Sequence, residues 1–445
     1  LRNLQRAFFR QSAKDTSATA PFIEVEKEQA KAIVEQAMRR SERWRVMRAE
    51  GKTDTVIKAS FYVPTAMRVF DWEHEDLERD TVMTPFDSII YYKKHLRTAM
   101  MSIEPQTGHI KAWVGGANYK HFQYDNVIQG ARQVGSTFKP FVYAAVIDQL
   151  RLSPCDRLPD VPYCVAAMRH GNTESWCPKN SGGKYSGRNI TLKYALANSV
   201  NTVTAQLIDK VGPRAVSSLV QRLGVRNEVP SVPSIALGTP DIKVHDLVAA
   251  YSAFANQGVY VEPTFITRIE DRAGTVLYRA VPETRDVFNK EIAYAMISLL
   301  KGVTEAGSGV RLRHNWMQDN PVYQEVVTGY PYEFKNPIAG KTGTTQNQSD
   351  GWFMGMVPNL VTGVWVGAED RSVHFDNITY GQGATMALPI WANYMRKNYQ
   401  DSLGISLEDF EKPDQLSFNL DCSESDEALE EIDLEVEADL EEFDF

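Results

Sequence analysis

The chain has 445 residues, 43% of them hydrophobic and 24% charged, a globular composition that excludes collagen-like, disordered and disulfide-scaffold classes. Its net charge of −9 is uneven: residues 421–445 hold 13 acidic and no basic side chains, whereas residues 1–400 hold 47 basic and 39 acidic ones, a net +8. A mildly basic body with a strongly acidic end makes the overall balance a poor guide to what the body binds.

Residues 1–22 read as polar and irregular, with an aromatic pair at Phe8 and Phe9. Over residues 27–50, Ile33, Ala37, Trp44 and Met47 fall on one stripe, which predicts a single amphipathic helix stopped by Gly51. Residues 55–63 and 66–72, rich in β-branched and aromatic side chains around Pro64, predict two strands. Pro85 and Asp87 open a helix. Residues 99–104 and 110–115 then predict a hairpin turning at Gln106-Thr107-Gly108. A helix is expected from Ser136 to Leu150. Residues 151–190, with four prolines and Gly182-Gly183, exclude long regular elements. A helix over 191–210 follows, N-capped by Thr191. Further helices are expected at 244–256, 290–303 and 389–397, a hairpin at 265–280, and three successive strands at 337–344, 351–357 and 361–367. Strands first, helices in the middle and strands last predict an α+β fold, one antiparallel sheet carrying helices. Residues 401–445, with apolar residues interleaved among acids, read as an acidic tail that stays flexible or forms a solvated helix.

No run of 18 apolar residues occurs, so no transmembrane helix is expected, and no signal peptide is recognisable. The chain begins at Leu1 and reads as processed or as a fragment whose anchor lies upstream. Four cysteines, Cys155, Cys164, Cys177 and Cys422, form no C-x-x-C pair, which argues against structural zinc. They read as free thiols or, alternatively, as one disulfide of an exported protein, with Cys164–Cys177 the candidate pair.

Three short motifs carry chemistry. Ser136-Thr137-Phe138-Lys139 opens a helix, and i, i+3 spacing puts the hydroxyl and the amine on one face. A serine needs a base to take its proton, and a lysine serves only if burial or nearby positive charge lowers its pKa. Ser199-Val200-Asn201 offers a hydroxyl for proton relay and a carboxamide that both donates and accepts. Lys341-Thr342-Gly343-Thr344 lies on a predicted strand, where a glycine lets another backbone approach and a lysine with two threonines suits a carboxylate-bearing peptide docked along an edge. Each motif also has an ordinary reading: a serine N-cap, helix-surface polarity, a glycine turn. Second copies, Ser181–Lys184 and Ser417–Asn419, lack the surrounding pattern.

The ordered set S-x-x-K, S-x-N, K-T-G is the signature of penicillin-binding proteins and class A β-lactamases. With Gln129–Gly135, Ile103–Gly116, Trp176, Pro178, Asn180, Ala195–Ser199, Ala236–Gly238, Asp350–Phe353 and Val364–Gly367, the chain resembles the transpeptidase part of a class A (bifunctional) penicillin-binding protein over about residues 84–400. The resemblance implies an antiparallel sheet with helices on both sides plus an all-helical subdomain. It also implies a linker or pedestal at 1–83, following a glycosyltransferase domain whose activity is not expected of this chain.

By the same resemblance, Ser136 is the nucleophile, Lys139 its base, Ser199 the proton relay and Lys341 the source of positive field. Asn201, Thr342, Gly343 and Thr344 bind substrate, and the backbone N–H groups of Ser136 and Thr344 form the oxyanion hole. No metal or cofactor is implied. The implied partners are peptidoglycan stem peptides (a D-Ala-D-Ala donor and an amine acceptor), β-lactams, a membrane reached through the missing anchor, and other cell-wall synthesis proteins, but no nucleic acid. The implied location is the extracytoplasmic face of the bacterial inner membrane. A D,D-carboxypeptidase, a β-lactamase and a β-lactam-binding sensor are the competing readings.

Overall fold

Five antiparallel strands form the sheet on which the other elements are mounted. The computed structural model describes residues 1–315 and 321–422. The strands are β1 (Arg97–Ile103), β2 (Ile110–Val114), β3 (Ala339–Thr344), β4 (Asp350–Val357) and β5 (Leu360–Gly367). Their spatial order is β3-β4-β5-β1-β2, which leaves the K-T-G strand β3 at an edge.

β4 is buried along its whole length because both faces of the sheet are covered. Side chains alternate between two cores, as the two-residue period of a strand requires. Trp352, Met354 and Met356 join one core with Trp365 and Met101; Phe353 and Val357 join the other with Val364 and Met100. The first core holds the helices α1 (Lys139–Leu150), α2 (Leu192–Ala197), α3 (Asn201–Val211), α4 (Val244–Ala255) and α5 (Lys290–Ala306). α4 packs on β1 and β5, and α5 runs against β3 and α2. On the opposite face α6 (Leu388–Gln400) packs on β4 and β5, with Trp391 fully buried. This is the antiparallel sheet carrying helices that the order of elements predicts, with the helices on both sides and the helical subdomain that the resemblance implies.

Several local expectations are corrected. Residues 2–14 form a helix rather than an irregular segment, because Leu4, Ala7 and Phe8 bury one side of it in the second core. The long helix expected over 27–50 breaks at Ser41, whose extended backbone ends one helix at Arg40 and whose hydroxyl accepts from Trp44 N–H to start the next. Residues 54–60 are helical, not a strand. Thr53 caps that turn through Val56 N–H, and Ile57 is fully buried, so capping and packing override β-propensity. The strand after Pro64, at Thr65–Phe70, is present and pairs with Glu78–Met83.

All four cysteines are paired, which replaces the free-thiol reading. Cys164–Cys177 closes a short loop, and Cys155–Cys422 joins residues 267 positions apart. Residues 401–422 contain no helix or strand, yet they lie on the body instead of extending from it. Phe410 and Phe418 are buried, and the Arg151 guanidinium stacks 4.8 Å from the Phe418 ring centre. The rest of the expected acidic tail, residues 423–445, lies outside the described residues. Among the described residues, no helix is long and apolar enough to cross a membrane.

Candidate active site

The serine of the first motif sits on a tight turn rather than on an α-helix. Gly135–Phe138 is one 3-10 turn that runs directly into α1 at Lys139. Pro140 falls in the first turn of α1, where no N–H bond is lost. The turn is held from inside by Thr137, whose hydroxyl donates to Val134 O at 2.7 Å. From α4, Tyr251 OH donates to Thr137 O at 2.6 Å. Ser136 is half-buried at the mouth of a cleft, while Lys139, one turn later, is 0% exposed.

Glycines set how closely this turn meets the edge strand. Gly135 has φ +52°, and a Cβ on it would lie 2.6 Å from Thr344 O; a Cβ on Gly343 would lie 2.8 Å from Thr137 Cγ2. Gly343 therefore does allow a close backbone approach, as expected for an edge-strand glycine, but the backbone that approaches is the Ser136 turn itself.

The helix predicted over 191–210 is two helices. α2 ends at Ala197 and α3 begins at Asn201. Between them Ser199 adopts φ +58°, a left-handed conformation that costs a non-glycine residue free energy and persists only where tertiary contacts hold it. The contacts are two lysines: Ser199 Oγ accepts from Lys139 Nζ at 3.2 Å and from Lys341 Nζ at 3.1 Å. Lys139 Nζ also donates to Ser199 O and, at 2.6 Å, to Asn201 Oδ1. The Asn201 amide in turn donates to Lys179 O at 2.7 Å.

On β3, Lys341 is 0% exposed and donates to Thr342 O at 3.1 Å. The hydroxyls of Thr342 and Ser308 are 2.6 Å apart. Thr344 Oγ1 accepts from Gly383 N–H at 3.0 Å, which leaves its own hydroxyl proton available to an acceptor in the cleft. All the predicted residues of the three motifs thus converge. Ser136, Asn201 and Thr344 line a cavity of about 440 Å³ with Trp176, Lys179 and Gln346.

Two ammonium groups in one dry site repel, and neither is well solvated. Burial, reinforced by the charge of Lys341, drives the Lys139 pKa well below the ordinary lysine value. Burial alone pushes Lys341 down to about 7. The site therefore favours loss of a proton from Lys139, which lies beside the Ser199 hydroxyl and one turn after Ser136.

Residues 98–384 match the model of the penicillin binding protein transpeptidase domain, and residues 17–96 match the penicillin-binding protein middle domain. The chain belongs to the penicillin-binding protein transpeptidase family. It is 36% identical to penicillin-binding protein 1A of Aquifex aeolicus over 323 residues, 72% of this chain and 40% of that protein. Among solved structures it resembles penicillin-binding protein 1A from Haemophilus influenzae, with a TM-score of 0.59 at 25% identity over 72% of this chain and 49% of that one. It also resembles the penicillin-binding protein PonA1 from Mycobacterium tuberculosis, with a TM-score of 0.58 at 25% identity over 73% and 82%. The chain spans about two fifths of the length of the curated relatives it matches.

The decoy copies behave differently from the penicillin-binding motifs. Ser181–Gly183 is an exposed turn, and Ser417–Asn419 lies in the extended segment on the body. Three contributors escaped the sequence reading of the site. Gly238 has φ +75°, and its carbonyl accepts from Gly135 N–H at 3.0 Å. Arg132 pairs at 2.7 Å with the fully buried Asp350, which also accepts from Trp365 Nε1. The family-like strings containing Arg132, Gly238 and Asp350 marked those positions without saying what they hold.

Proposed function

We propose that this chain is a serine D,D-transpeptidase of peptidoglycan, forming stem-peptide cross-links through an acyl-enzyme on Ser136 and acylated at the same atom by β-lactams. The observation that carries this reading is the Ser199 hydroxyl shared by two fully buried lysines beside the Ser136 turn. Family membership supports the reaction class.

In this reading Ser136 Oγ attacks the carbonyl carbon of the penultimate D-Ala, and its proton passes to the neutral amine of Lys139. The backbone N–H groups of Ser136 and Thr344 receive the developing oxyanion; one such donor is worth about 10²–10³ in rate. The tetrahedral intermediate expels the terminal D-Ala, whose amine takes a proton through Ser199. Lys341 keeps the local field positive. Asn201 orients the donor amide through the N–H and lone pair left free by Lys179 and Lys139, and Thr342 and Thr344 bind the terminal carboxylate beside Gly343. An amine of a second stem peptide then attacks the ester, loses its proton and returns Ser136 Oγ to the hydroxyl.

We extend the proposal to the setting. Residues 1–83 act as the pedestal of this machinery, residues 84–400 carry it, and it works on the extracytoplasmic face of a bacterial inner membrane with other cell-wall synthesis proteins. The deciding experiment is intact-mass measurement after incubation with benzylpenicillin, followed by mapping of the modified peptide. One stable adduct on the peptide containing Ser136 is the expected result. Absence of an adduct, or release of hydrolysed penicillin within minutes, would overturn the transpeptidase reading.

A further inference from the structure

α3 carries Asn201 at its first position, and its start is unusual. The residue at the N-cap is Val200, which has no side chain able to cap. The cap comes from Asn180, three residues past the Cys164–Cys177 bridge: Asn180 Oδ1 accepts from Asn201 N–H at 3.0 Å and from Thr202 N–H at 3.2 Å. The adjoining carbonyl, Lys179 O, takes the Asn201 side-chain amide at 2.7 Å. Two consecutive residues therefore hold both the backbone and the carboxamide of Asn201.

A carboxamide can serve as a cap in only one of its two orientations, and Asp160 selects it. Asn180 Nδ2 donates to Asp160 Oδ1 at 2.7 Å and to Lys184 O at 3.1 Å, so its oxygen must face α3. Asp160 is 5% exposed and accepts also from Thr202 Oγ1 at 2.6 Å and Ser186 N–H at 2.8 Å. Burial raises its pKa, but these hydrogen bonds outweigh burial and hold it below the ordinary aspartate value. An ionised Asp160 is a pure acceptor and cannot tolerate the flipped amide.

We infer that Asn180, oriented by the buried carboxylate of Asp160, is a positioning residue for the reaction: it fixes Asn201, and Asn201 Oδ1 at 2.6 Å fixes the amine of Lys139. The inference rests on the acyl-enzyme reading above. It adds a chain of contacts that reaches the base through Asn201 and begins at Asp160 and Asn180, which touch neither Ser136 nor substrate in that reading. A cap that merely stabilised α3 would affect folding and leave the acylation step alone.

The test is stopped-flow acylation by a chromogenic cephalosporin, resolving the limiting acylation rate from the preceding binding constant, with thermal unfolding in parallel. Asn180→Ala should lower the limiting rate by about 10²-fold while the binding constant stays within about threefold, because a misplaced base acts on the chemical step. Asn180→Asp, which removes the donor and sets a second carboxylate against Asp160, should be similarly slow. The exchanged double variant Asp160→Asn/Asn180→Asp restores a donor facing a carboxylate and should recover at least about tenfold of the loss. A limiting rate within about threefold of wild type for Asn180→Ala, or a double variant no faster than Asn180→Asp, would overturn the inference. If Asn180→Ala does not fold, the comparison of Asn180→Asp with the double variant decides alone. Wild-type protein that forms no Ser136 adduct would instead overturn the acyl-enzyme reading, whatever the variants do.

Discussion

Lys341 donates its Nζ to Ser199 Oγ at 3.1 Å, joining strand and helix break across 142 positions of sequence. The contact brings a second buried amine to the hydroxyl that Lys139 already holds. Burial lowers the proton affinity of both amines, and the charge of Lys341 lowers that of Lys139 further. The arrangement stores a neutral base at the cost of two desolvated lysines.

The pH dependence follows with a definite sign. Lys341 has a folded pKa of about 7 against an ordinary 10.5. Between those values the unfolded chain binds more protons than the folded one, so stability rises with pH across that window. The stability of wild type minus that of Lys341→Met should therefore increase from pH 7 to pH ~10, as read by chemical denaturation. Acylation of Ser136 should also rise with pH as Lys139 loses its proton. Lys341→Met removes the charge that depresses Lys139, so its acylation profile should move to higher pH. Parallel stability curves, or an unmoved profile, would show that Lys341 does not titrate as its burial requires.

Ser136→Ala should abolish covalent labelling by benzylpenicillin and leave the thermal transition in place, since the side chain is half-buried at the cleft mouth. Lys139→Ala should slow acylation by about 10⁴-fold or more, because nucleophile and base act as a unit. It should also cost stability, since Asn201 Oδ1 and the Ser199 carbonyl lose their donor in a buried site. Labelling that survives in Ser136→Ala would put the nucleophile elsewhere.

What the sequence revealed and what it hid differ in kind. Motif identity and order are local, so Ser136, Lys139, Ser199 and Lys341 could be marked before any geometry was known. The sheet was equally legible, because β4 and β5 are apolar runs joined at Pro358-Asn359. The break at Ser199 was not: residues 191–210 read as one helix because their side chains suit one, and only the two lysines and the distant Asn180 cap hold the chain in a left-handed turn. Cys422 shows the same limit, since its partner lies 267 positions away and nothing local predicts the pairing. The N-terminal helix was missed for a milder reason, that Leu4, Ala7 and Phe8 are few among polar neighbours and gain their meaning from the core they enter.

Gly238→Ala should be far more damaging than its small size suggests. Its φ is +75°, and a Cβ there would collide with the carbonyl of Gly135, the residue before the nucleophile. The obstacle is backbone, so relief requires moving the Ser136 turn. Gly274→Ala is the control: its φ is +85° and nothing lies within 4 Å of its Cβ, so it carries only the left-handed penalty, about 1 kcal/mol. Gly274→Ala should acylate normally, whereas Gly238→Ala should lose most of its acylation rate and unfold at lower temperature. Equal effects in the two variants would mean that the Gly135–Gly238 contact does not position the serine.

The C-terminal segment divides at Cys422. Truncation after residue 422 retains the disulfide to Cys155 and the buried Phe410 and Phe418, so both stability and Ser136 acylation should match the full chain. Truncation after residue 420 removes Cys422. It should cost about 2–5 kcal/mol in non-reducing denaturation, the usual loss for a native disulfide. That cost should shrink once both proteins are reduced, because the reduced full chain has lost the same constraint. Acylation at temperatures where both remain folded should be unchanged, since the bond ties the segment to the start of the 155–190 loop and not to the cleft lined by Ser136 and Thr344. A large change in acylation on removing residues 423–445 alone would mean that the acidic tail reaches the active site, and the net +8 of residues 1–400 would be the first surface to test as its dock.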